Sequence, residues 1–187
     1  MASKKEGSDK HFPPIVFDLP MRRWVNDPKR FCQYLKPGQW ASDLGCGPGF
    51  FTLTLAECVG EKGKVFAVDS DEKTIRRLQQ KIEKKEIGNI ETHVSSAASL
   101  PFIPDQAVDF VLAYGLLCCV APADHQASVR EIKRILKPGG FAYLSVSKGS
   151  MSYVSLEEWQ EILAGFNVND QSGPRDSGDR WAVVGLN

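Results

Sequence analysis

The sequence predicts an α/β domain built on a doubly wound, mostly parallel sheet, and three observations carry that prediction. Short apolar runs rich in β-branched residues alternate with segments of helical periodicity from residue 40 onward. Three glycines, Gly45, Gly47 and Gly49, fall where the first strand should turn into a helix. The apolar run over residues 108 to 114 reads as a central strand buried on both faces.

Each element has its own local cause. Residues 1 to about 12 are polar, and the stretch to Pro20 is too proline-rich for a helix. Arg22, Arg23 and Trp24 follow, completing an N-terminal arm, residues 1 to 27, that reads as partly mobile, either a lid or a solvated tail. Asp27-Pro28 starts a helix to about residue 34, with proline where the missing N–H costs nothing. Lys36-Pro37-Gly38-Gln39 is a turn into a strand over 40 to 44, and a helix is expected over 50 to 59. A strand over 64 to 69, a helix over 72 to 85, and strands over 90 to 94 and 108 to 114 come next. The helix over 122 to 136 should stop at Lys137-Pro138-Gly139-Gly140, and a strand should run from 140 to 147. Ser155-Leu156-Glu157-Glu158 is a capping-box start for a helix to about 163. Runs over 166 to 172 and 180 to 186 read as a closing pair, making seven strands in one domain, residues 28 to 187.

A chain of 187 residues can bury one α/β core but not a second substrate domain of ordinary size. Its 23 lysines and arginines balance 23 aspartates and glutamates, so general nucleic-acid binding is disfavoured. No apolar run is long enough to span a membrane, and the first ten residues lack a signal peptide's hydrophobic segment; a cytoplasmic location is expected. Five cysteines, with no C-x-x-C pair, point to neither a disulfide framework nor a zinc site. Most are expected to pack as small apolar side chains, and no metal is expected.

The functional signal lies in Asp43-Leu44-Gly45-Cys46-Gly47-Pro48-Gly49-Phe50. Glycine permits positive φ and close approach of a ligand to the main chain. The following helix offers unpaired N–H groups and its dipole. A dinucleotide loop needs a small third residue in G-x-G-x-x-G, and Phe50 stands there, so NAD is disfavoured. Asp69 ends the second strand 20 residues beyond Gly49, where an acid can accept both ribose hydroxyls; it, or Ser70, could instead merely cap the next helix.

Together these motifs resemble motif I and its partner acid in the class I S-adenosylmethionine (SAM)-dependent methyltransferases. Leu100-Pro101-Phe102 through Asp109 and Val111, and Leu136-Lys137-Pro138-Gly139-Gly140, resemble the family's leads into its fourth and fifth strands. The resemblance covers residues 28 to 187 and is closest to small stand-alone quinone-biosynthesis and other small-molecule enzymes. It implies a Rossmann-like sheet whose last strand is antiparallel, and SAM as cofactor. The residues it assigns to SAM are Asp43, Gly45, Cys46, Gly47, Gly49 and Phe50 of the loop, Asp69 and Ser70, Ser96 and Ala97, and Tyr114.

The chain departs from the family in two places. Leu117-Cys118-Cys119-Val120 stands where many relatives carry L-H-x-V, removing a usual general base and placing a thiol near the cleft. Ser96 stands where relatives often have an aspartate for the adenine amino group, leaving that role to its hydroxyl, to the Ala97 N–H or to packing. Ala113-Tyr114-Gly115-Leu116 lacks the N/D-P-P-Y/F signature of nucleic-acid amino methyltransferases and any acid for magnesium. The reading is metal-independent methyl transfer to a small molecule, with Arg22, Arg23, Trp24 and Cys118 as candidate acceptor contacts. Two alternatives are a non-catalytic SAM-binding module and a protein or RNA methyltransferase. His93 and His125 read as structural.

Overall fold

The computed structural model describes residues 27–147, 154–173 and 179–186. Arg22, Arg23 and Trp24 therefore lie outside the described residues. Seven strands form one sheet: β1 (Trp40–Leu44), β2 (Lys64–Asp69), β3 (Ile90–Val94), β4 (Val108–Tyr114), β5 (Leu136–Val146), β6 (Asn167–Gln171) and β7 (Arg180–Gly185). Their order is β3-β2-β1-β4-β5-β7-β6. The first five pair in parallel, and β7 runs antiparallel between β5 and β6. The direction in which strands are added reverses between β1 and β4, where such sheets open a crevice.

The helices are α1 (Thr52–Val59), α2 (Glu72–Lys84), α3 (His125–Ile135) and α4 (Leu156–Ala164). One sheet face buries Leu44, Phe66, Val111 and Leu144 beneath Ile132, Ile135 and Trp159. The other buries Ala41, Val65, Phe110 and Leu112 beneath Phe31, Phe51 and Leu55. A smaller cluster of Cys46, Ala67, Ile75 and Leu78 seals α2 against the glycine loop. Among the described residues no helix is long and apolar enough to cross a membrane.

Several boundaries differ from the sequence reading, each for a local reason. Residues Pro28–Tyr34 form a 3₁₀ helix, capped where the Asp27 side chain accepts from the Lys29 N–H. Phe50 and Phe51 complete the loop, so α1 begins only at Thr52. Residues Pro122–Asp124 are a separate 3₁₀ turn. The Lys137-Pro138-Gly139-Gly140 segment is a bulge inside β5, because Leu136 already pairs with Val108 before Phe141 pairs with Phe110. Gly139 takes φ 78°, and a Cβ on Gly140 would lie 2.8 Å from the Asp109 carbonyl, so the bulge needs both glycines. Cys32 and Cys58 are joined in a disulfide between the 3₁₀ helix and α1, with Cα atoms 5.5 Å apart. Parity and spacing of cysteines do not reveal that pairing, which packing of two distant segments creates.

Candidate functional site

The loop after β1 turns on glycines in the left-handed region: Gly45 at φ 73°, Gly47 at φ 55° and Gly49 at φ 88°. Their tasks differ. A Cβ on Gly47 would meet nothing within 4 Å, so this residue opens onto the cleft, whereas one on Gly49 would strike the Leu78 side chain of α2. Gly45 abuts Leu116, 3.1 Å from the place of its Cβ, which brings the turn after β4 against the loop after β1. The Lys81 Nζ of α2 holds the loop from outside by donating to the Pro48 carbonyl at 2.9 Å.

Asp43 is only 2% exposed, and the Thr52 hydroxyl donates to its carboxylate at 2.6 Å. It ties the end of β1 to the start of α1. Cys46 turns its side chain inward, where burial first, and then Asp43 and Asp69, push its thiol well above the ordinary range. Its main-chain N–H donates to the Val68 carbonyl at 3.0 Å, and its carbonyl accepts from the Gly49 N–H at 3.1 Å. Phe50 packs edge-on to Phe51 at 4.8 Å.

Asp69 ends β2 beside this loop. The Gly47 N–H donates to one carboxylate oxygen and the Asp71 N–H to the other, both at 2.9 Å. These two bonds, one to each oxygen, fix the plane of the carboxylate. Helix capping falls not to Asp69 or Ser70 but to Asp71, whose side chain accepts from Lys73 N. The Ser95 N–H bonds the Asp69 carbonyl at 3.0 Å, bringing the loop after β3 alongside. There Ser96 Oγ accepts from the Ala98 N–H at 3.2 Å, and Ala97 is buried.

Tyr114 ends β4, and its ring lies with Phe51, Phe31 and Tyr143. Cys118 lies in the following turn, donating to the Gly115 carbonyl at 3.1 Å, with the Cys119 sulfur 3.8 Å away. Hydrogen bonding from Cys119, opposed by burial and aided by the Ser147 N–H, brings the Cys118 thiol down to about 6. His125 is fully buried, its Nδ1 2.7 Å from Glu158 Oε1 and its Nε2 3.0 Å from the Val120 carbonyl, so it staples that turn to α4. Among the described residues no three His, Cys, Asp or Glu side chains converge as metal ligands.

The structure thus joins the loop glycines to Asp69, and adds Thr52, Lys81 and Leu116, which sequence reasoning missed. Lys81 and Leu78 share one face of α2 at i, i+3 spacing, a signal that was available; the approach of Leu116 to Gly45 was not. The result is a backbone loop open at Gly47 with a fixed carboxylate at its edge.

Comparison with known proteins agrees with this geometry. A family model described as a methyltransferase domain matches residues 41–140. A demethylmenaquinone methyltransferase of Geobacillus stearothermophilus is 32% identical over 165 residues, 86% of this chain and 64% of that protein. Another from Bacillus cereus is 34% identical over 146 residues, 78% of this chain and 55% of that protein. The chain thus spans less than two thirds of the length of these relatives. A crystal structure of a SAM-dependent methyltransferase from Aquifex aeolicus superposes with TM-score 0.79 at 27% identity, covering 95% of this chain and all of that one.

Proposed function

Because this chain belongs to the SAM-dependent methyltransferases, we propose that it transfers a methyl group from SAM to a small-molecule acceptor without a metal. The observation that carries the reading is the bond from Gly47 N–H to Asp69, which makes the glycine loop and the ribose acid one rigid cradle. When bound, SAM supplies an electrophilic methyl on a sulfonium whose departure leaves a neutral thioether. The protein's own part is to hold and orient. Gly45 and Gly47 present main chain to the methionine end, Asp69 accepts from the ribose, and the loop of Ser96 and Ala97 flanks the adenine. Placing the acceptor correctly can contribute roughly 7–11 kcal/mol, so no strong acid or base is required for an acceptor that is already nucleophilic.

A small acceptor is supported by the similarity to demethylmenaquinone methyltransferases. We further propose that the arm ending at Arg22, Arg23 and Trp24 closes the acceptor side, and that the protein acts in the cytoplasm. Calorimetry with SAM and S-adenosylhomocysteine tests the cofactor, and incubation with methyl-labelled SAM and a panel of hydroxylated aromatic compounds, with and without EDTA, tests transfer. Labelled product that survives EDTA supports the reading. Tight cofactor binding with no transfer to any compound favours a non-catalytic module.

A further inference from the structure

A row of rings and a cation lies on the sheet face covered by the 3₁₀ helix, starting at the end of β4. Tyr114, Tyr143 and Trp181 come from the neighbouring strands β4, β5 and β7. Their planes are nearly parallel, 6° and 12° apart, with centroids 6.1 and 5.9 Å apart. Tyr114 directly precedes the turn whose Leu116 touches Gly45, so the row begins where the cofactor loop ends. The Arg30 guanidinium lies over this row, its central carbon 5.5 Å from the Tyr114 centroid and 5.3 Å from that of Tyr143. Its Nη2 donates to the Tyr143 hydroxyl at 3.1 Å.

Arg30 is exposed, and it forms no ion pair among the described residues. Asp179 is near enough for its charge to act on Tyr143 and Cys118, yet it makes no ion pair with Arg30 either. A guanidinium has five N–H donors in a rigid plane, and only one is used on Tyr143. Ring contacts hold the plane still without neutralising it. The remaining edge matches a carboxylate's two oxygens, and the parallel rings favour a flat partner.

We propose that Arg30, with Tyr114 and Trp181, forms an acceptor subsite selective for a planar aromatic carboxylate. This rests on the methyltransferase reading and deepens it: the carboxylate is a handle, remote from the methylated atom, that positions the ring beside the cofactor. Arg30 is a specificity-determining residue, and the bond from its Nη2 to Tyr143 sets its orientation.

Calorimetry on the full chain saturated with S-adenosylhomocysteine tests this with two probes of equal shape, 2-naphthoate and 2-naphthamide. The wild type should bind the naphthoate at least about tenfold more tightly, as a charge-assisted bond requires. Arg30→Gln should abolish the preference, and Arg30→Lys should restore only part of it, since an ammonium keeps the charge without the planar pair of donors. Unchanged S-adenosylhomocysteine affinity in both variants shows that the fold and cradle are intact. Equal affinity for the two probes, no binding of the naphthoate, or a preference that survives in Arg30→Gln would each overturn the proposal. Failure of the wild type to bind S-adenosylhomocysteine would instead overturn the methyltransferase reading.

Discussion

The Gly47 N–H donates to the Asp69 carboxylate at 2.9 Å across 22 residues of sequence. The conformation of the loop and the orientation of the acid at the end of β2 are therefore one structural unit. Removing the acid should loosen the loop as well as delete the proposed ribose contact. Asp69→Ala is expected to weaken S-adenosylhomocysteine binding by about 10- to 100-fold, corresponding to roughly 1.5–3 kcal/mol for hydrogen bonds to a charged group. Gly47→Val should be at least as damaging, because φ 55° strains a β-branched residue and its side chain would project into the cleft. Calorimetry on both variants checks this, and undiminished affinity in Asp69→Ala would remove the ribose assignment. NAD should give no heat in the same cell.

Gly49 and Gly139 share a left-handed backbone but not their surroundings. A Cβ at Gly49 would lie 2.4 Å from the Leu78 Cδ1 in a fully buried cluster, whereas at Gly139 it would meet nothing within 4 Å. Gly139→Ala should cost about 1–2 kcal/mol, the backbone penalty alone. Gly49→Ala should cost about 2–4 kcal/mol by adding overpacking. Urea unfolding of the pair decides, and equal losses would show that Leu78 repacks without cost.

Cys118 should make stability depend on pH. Its thiol falls from 9.0 to about 6 in the folded protein, chiefly through the hydrogen bond from Cys119. A folded value below the unfolded one means that the folded state holds fewer protons over the interval between them. The stabilisation is complete above the unfolded value and is lost as pH falls through about 6. Between those limits the urea midpoint of the wild type should rise with pH, and that of Cys118→Ala should rise less. Matching pH profiles in the two proteins would contradict the thiolate.

Arg134 should be the costliest surface-facing residue to truncate. Its guanidinium donates to both Glu131 oxygens, to Asp105, and to the Leu100 and Ile103 carbonyls, at 2.6–2.9 Å. It thereby pins the loop before β4 to α3. Arg134→Ala should lose about 2–3 kcal/mol, because two carbonyls and two carboxylates lose their donors together. Arg134→Lys should recover only a minor part, lacking the planar geometry. A thermal scan showing full recovery in the lysine variant would reduce the network to simple charge pairing.

Deleting residues 1 to 24 should leave S-adenosylhomocysteine affinity nearly unchanged while abolishing transfer to any acceptor found. Normal turnover by the truncated protein would make the arm a tail. Loss of cofactor binding would instead make it part of the cradle.

The sequence by itself determined the sheet and the glycine turn after β1 because both are written in local chemistry. Apolar runs alternating with helical patterns placed the seven strands within a few residues, and the spacing from Gly49 to Asp69 marked one strand-to-strand crossover that the structure contains. Only the tertiary structure decided what the side chains do once distant segments meet. Cys46 reads as a loop residue but turns its thiol into the core, and Tyr114 shares a ring row with residues of two other strands. The disulfide of Cys32 with Cys58, the staple of His125 to Glu158 and the seating of Arg30 over Tyr143 likewise join residues 26, 33 and 113 positions apart. Backbone conformation follows from near neighbours, which the sequence states directly. A side chain's partner depends on which elements the sheet order lays side by side, and that order is fixed by burial of the whole core.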